Sequence, residues 1–117
     1  MREIRFRAWD KKTKSMFNNA YVDLNYGKLE LQMVKDAILL QYTGLKDKQG
    51  KEIYEGDILV RDYGFHKSYM QIIWDEDRAT FGSIPARPYT YADINREQMS
   101  QCEIIGNIYE NPELVEK

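Results

Sequence analysis

The chain has 117 residues, which fits one domain and leaves little room for two. Apolar residues make up 43% and charged residues 31%, so the chain is not disordered, and a net charge of −2 argues against a strongly basic nucleic-acid coat or an acidic tail protein. One cysteine and one histidine exclude an internal disulfide framework, a multi-cysteine zinc site and a two-histidine metal site.

In chain order, residues 3–9 come first. Ile4, Phe6 and Ala8 alternate with Glu3, Arg5, Arg7 and Trp9, the period of a half-buried strand with one apolar and one charged face. Polar residues 10–14 break the pattern, and Met16 and Phe17 resume it, which predicts a hairpin over 3–18. Tyr21, Leu24 and the turn Asn25-Tyr26-Gly27 are compatible with a second hairpin, and Leu29, Leu31 and Met33 alternate as in a strand. Residues 36–42 carry the longest apolar run, four residues at 37–40. That is far too short to cross a bilayer and reads as a short strand rather than a helical turn. Thr43-Gly44, residues 47–50 and Glu55-Gly56-Asp57 are turns, with Gly50 at positive φ.

Strands are predicted at 58–60, 69–74 and 80–84, the last two joined by the polar loop 75–78. Pro85 and Pro88 keep 84–88 out of a central strand. Residues 93–101 are the best helix candidate, with Asp93 as cap and Glu97 near the first turn. A closing strand over 103–109 ends at Asn111-Pro112. Short strands, glycine turns and one short helix define a mainly β (β-rich α+β) fold. We expect a single domain: a small SH3-like, partly open barrel over 42–117, carrying an N-terminal β-hairpin or sheet extension over 1–41.

Three blocks carry a family resemblance. They are residues 2–10 (REIRFRAWD), residues 41–47 (QYTGLKD) with 50–57 (GKEIYEGD), and residues 105–112 (IGNIYENP). Together, and in this order, they resemble the YopX family. The resemblance implies a small protein carried by bacteriophages and prophages, with a β-rich fold and assembly into homo-oligomers. It brings no established activity and no catalytic residues. It is loosest over 18–36 and 62–101, where any function specific to this member is expected to sit. The blocks also have a reading of their own. Their glycines stand where the chain reverses, and Asp57 is placed to accept amides of its own turn. Gly50-Lys51-Glu52 lacks the hydroxyl and the helix of a phosphate cradle.

Charge is unevenly placed. Six basic residues against two acidic ones give +4 over residues 1–14, leaving −6 for the remainder. Arg5 and Arg7 share a strand face, and with Trp9, Lys11 and Lys12 they form a candidate nucleic-acid patch, cations for phosphate and an aromatic for stacking. The alternative is a solvated face, or a rim meeting the acidic part of a neighbouring subunit. Asp75, Glu76 and Asp77 lack the alternating spacing of a calcium loop and read as a solvated turn. His66 has no recognisable nucleophile or orienting acid beside it, so a surface or interface role is expected. Cys102 reads as a small buried hydrophobe.

Nine tyrosines exceed the needs of so small a core. Tyr63, Phe65, His66, Tyr69, Tyr89 and Tyr91 form the candidate protein interface, the alternative being that these aromatics pack as barrel lids. No catalytic residue, cofactor or metal site is expected. The leading reading is a non-enzymatic, homo-oligomeric protein-binding module, with itself and a host or phage protein as partners and no membrane. The runner-up is a nucleic-acid-binding module using the N-terminal cationic strand. No apolar stretch follows Met1, so no signal peptide is expected, and the expected location is the cytoplasm of the bacterial host.

Overall fold

The computed structural model describes residues 4–20, 37–85 and 92–114. The hairpin expected around Asn25-Tyr26-Gly27, the strand over 29–33, and Tyr89 and Tyr91 lie outside these residues. Among the described residues the fold is mostly β, with one short helix.

The N-terminal hairpin forms as expected from β1 (Phe6–Asp10) and β2 (Ser15–Ala20). Asp10 closes its turn, accepting from the Lys12 amide at 2.9 Å and the Thr13 hydroxyl at 2.9 Å. These hydrogen bonds, the one from Thr13 foremost, hold the Asp10 carboxyl below its usual range. The next strand, β3 (Ala37–Lys46), is longer than predicted. Thr43-Gly44 is not a turn but an irregularity within it, with Gly44 at φ +88°. The Thr43 hydroxyl bridges the break, donating to the Ile53 carbonyl at 2.8 Å and accepting from the Leu45 amide at 3.2 Å. Residues 37–41 of β3 pair with β1, and Tyr42 and Lys46 pair with β4 (Glu52–Tyr54). The expected division at 41/42 therefore falls inside one strand, and the N-terminal hairpin shares a continuous sheet with β4. This sheet runs β2-β1-β3-β4.

The second sheet contains β5 (Asp57–Asp62), β6 (Lys67–Asp75), β7 (Thr80–Pro85), β8 (Ala92–Asp93) and β9 (Glu103–Asn107), in the order β8-β7-β6-β5-β9. Helix α1 (Arg96–Met99) is shorter than predicted and starts later. Asp93 is not its cap, because it lies in β8, where its backbone pairs with Gly82 of β7. Asn95 caps it, extended in backbone, its side-chain oxygen accepting from the Gln98 amide at 2.8 Å. The last strand stops at Asn107, two residues early, because the Asn107 carboxamide oxygen accepts from the amides of Tyr109 and Glu110 and turns the chain.

The two sheets curl about one core, as in a half-open barrel. Its centre is Ile53, Leu59, Ile72, Met99 and Cys102, with Leu45, Met70, Ile94 and Ile104 packed against it. Two buried carboxylates tie the sheets together. Asp47 accepts from the Gln49 and Lys51 amides of its own turn, each at 2.9 Å, and from the Ile104 amide of β9 at 3.0 Å. Asp57 accepts from the Tyr54 amide of its turn at 2.8 Å and from Arg7 of β1.

Candidate functional site

The hairpin between β5 and β6 projects an aromatic tip. Asp62 ends β5 and accepts from the Gly64 amide at 2.8 Å, while the Tyr63 amide donates to the His66 carbonyl at 2.9 Å. Gly64, at φ +88°, supplies the reversal. The turn so fixed stacks Tyr63 on His66, with ring centres 4.9 Å apart and planes 16° off parallel. Phe65 tilts against His66 at 4.5 Å. The Arg61 guanidinium lies 4.7 Å from the Tyr63 ring centre, a cation–π contact, and hydrogen-bonds Gln101 beyond the helix. Tyr63 is 43% exposed, Tyr69 41% and Phe65 86%. Of the six candidate interface residues, Tyr63, Phe65 and His66 thus share one tip and Tyr69 follows on β6.

The N-terminal patch is different. Arg7 is not on a solvated face: it is buried, its Nη2 donating to Asp57 Oδ1 at 2.6 Å and to the Glu55 carbonyl at 3.3 Å, with its guanidinium 4.9 Å from the Tyr54 ring centre. Trp9 is also buried, its ring 5.8 Å from that of Tyr109. Both faces of β1 are covered, Ala8 being buried as well as Arg7 and Trp9, while Ile4, expected inside, lies before the strand and is 62% exposed. Arg5 pairs with Glu52 at 2.7 Å. Lys11 and Lys12 remain exposed in the β1–β2 turn.

Burial governs the ionisable groups around Arg7. Desolvation pushes the Asp57 carboxyl up, against the pull of Arg7 and of the Tyr54 amide. Glu55 is raised by burial too, opposed by the Gln41 amide, which donates to its carboxylate at 3.1 Å. Tyr109 is raised by burial and then by the Glu55 charge. Cys102 is buried, and burial raises its thiol, which donates to the Gln98 carbonyl at 3.3 Å. Such a thiol is a core residue rather than a nucleophile. In the 75–78 loop, Asp75 pairs with Arg78 at 2.8 Å and accepts from the Asp77 amide at 3.0 Å. The hydrogen bond from Arg78 leads the contacts that lower its pKa.

A second feature is not legible in the sequence. An open cleft of about 280 Å³ lies where β3, the β4–β5 turn, β6 and the segment after β9 meet. Glu55 and Glu76 line it with Trp74 and Tyr109, over apolar surface that includes Leu40 and Ile108. Its signal is dispersed, since its residues come from four separate segments and none forms a motif.

Comparison with known proteins gives the class of protein these features belong to. The family model described as YopX protein matches residues 24–116, so the chain belongs to the YopX family. Its fold is similar to that in the crystal structure of protein EF1440 from Enterococcus faecalis, at 26% identity and a TM-score of 0.69, with 99% of this chain and 100% of that chain covered. No curated protein matches.

Proposed function

We propose that this YopX protein is a non-enzymatic, homo-oligomeric protein-binding module whose interface is the aromatic tip of the β5–β6 hairpin. The observation that carries the reading is Phe65, an 86% exposed aromatic on a turn already fixed by Asp62, Gly64 and the Tyr63–His66 stack. Phe65 is not a lone exposed apolar residue, because the partly exposed Tyr63 ring lies 6.4 Å from it on the same tip, and clustered exposed apolar groups mark interaction surfaces. Two aromatics and an arginine on a pre-ordered turn match the anchors that dominate protein interfaces, and their ordering cost is already met before binding. The reading includes a phage or prophage setting, action in the host cytoplasm, and a host or phage protein as second partner.

The test is capture from induced host cells with wild-type protein and with Phe65→Ser, with and without nuclease. A protein set that survives nuclease and is lost with Phe65→Ser is expected. Capture that nuclease removes, and that Lys11→Glu with Lys12→Glu abolishes while Phe65→Ser does not, would establish the nucleic-acid reading instead.

A further inference from the structure

We infer that the cleft between Glu55 and Trp74 is a binding site for a basic side chain, lysine or arginine, presented by a protein partner. The inference stands apart from the aromatic tip, which shares no residue with the cleft.

The cleft combines three properties that suit an organic cation on an apolar stem. It is acidic: Glu55 and Glu76 line it, and among the described residues no lysine or arginine does. Among the described residues the Glu55 carboxylate has one hydrogen bond, from the Gln41 amide, and no ion pair, although it is half-buried. Arg7, the nearby cation, is committed to Asp57 and meets Glu55 only at its backbone carbonyl. A half-buried carboxylate with spare acceptor capacity is satisfied best by a charged donor.

The walls are aromatic as well. Trp74 is held edge-on against Phe81 with ring centres 5.0 Å apart, and Tyr109 is braced by Trp9, so both rings are positioned before a ligand arrives. Tryptophan and tyrosine faces attract ammonium and guanidinium groups. Finally, Leu40 and Ile108 give apolar surface for the methylene stem. At about 280 Å³ the cleft is at the small end for ligand pockets, a size for one side chain rather than a drug-sized cofactor. The desolvation that pushes the Glu55 carboxyl up is the penalty an incoming cation would offset.

The test is titration of the full chain with capped lysine, capped arginine, capped norleucine and n-butylammonium, followed by backbone and indole amide shifts. Saturable shifts at Glu55, Gly56, Tyr109 and the Trp74 indole are expected for the two basic probes. Capped norleucine should bind about tenfold more weakly or worse, as should the basic probes to Glu55→Gln, since a charged hydrogen bond is lost. Glu76→Gln, at an exposed rim position, should weaken binding by a smaller factor and serves as second variant should Glu55→Gln misfold. Phe65→Ser should leave the titration unchanged, which separates this site from the tip. Equal binding of norleucine and lysine, full affinity in both Gln variants, or shifts elsewhere would overturn the inference. n-Butylammonium, the lysine side chain without its backbone, should bind about as well as capped lysine, and binding markedly tighter than that of capped lysine would overturn the assignment to a protein side chain.

Discussion

Arg7 and Asp57 are a buried ion pair, 11% and 2% exposed at their side chains. Such a pair adds little net stability over an apolar one, but breaking it strands a charge. Arg7→Met should cost about 3–5 kcal/mol by leaving the Asp57 carboxylate unpaired. The double variant Arg7→Met/Asp57→Asn should recover a large part of that loss in denaturant melts. Purely additive costs would show that the pair is not coupled. Glu55 makes a prediction in pH. Burial puts its folded-state pKa above the unfolded one, so the folded state holds the proton more tightly. That contribution is complete below the unfolded pKa and is lost as pH rises through the folded value. Glu55→Gln removes it. The melting temperature of the variant relative to wild type should therefore rise between acid and neutral pH, and a constant difference would contradict the assignment.

The elements were largely legible, because alternation and glycine turns are local signals. The β5–β6 and β6–β7 hairpins form where Ile58, Tyr69 and Thr80 lead them. Non-local effects were not legible. Period two gives the two faces of β1 but not that both are covered, so Arg7 and Trp9 are buried along with Ala8, and Ile4 lies exposed before the strand begins. The helix start moved because Asp93 was claimed by pairing with β7. Gly50 and Gly56 make this difference between local and non-local effects testable. Both have positive φ, +81° and +87°, but a Cβ on Gly50 meets open space, whereas one on Gly56 would come within 2.9 Å of the Tyr109 ring. Gly50→Ala should cost about 1–2 kcal/mol from the left-handed backbone alone. Gly56→Ala should cost more, measurably so in parallel urea melts. Equal costs would mean that Tyr109 yields without penalty.

At the scale of the molecule, the net charge of −2 conceals an N-terminal +4 and a remainder of −6. The structure withdraws Arg7 from that cationic segment and leaves Lys11 and Lys12 exposed at the hairpin turn, on a molecule whose cleft is lined by Glu55 and Glu76. The β-rich, barrel-like character and the aromatic tip could be read from the chain, since both follow from local strand and turn signals. The cleft could not, since it exists only once the two sheets have closed on each other. The proposal that the tip is an interface is tested most directly by light scattering during size exclusion, comparing wild type with Phe65→Ser. Phe65 is exposed, so the substitution should leave the fold within about 0.5 kcal/mol of wild type. It should weaken self-association by about 2 kcal/mol or more, the loss expected of an interface anchor. An oligomer is expected for wild type and a folded monomer for Phe65→Ser. A wild-type protein that is monomeric throughout, or an oligomer indifferent to Phe65→Ser, would contradict the proposal.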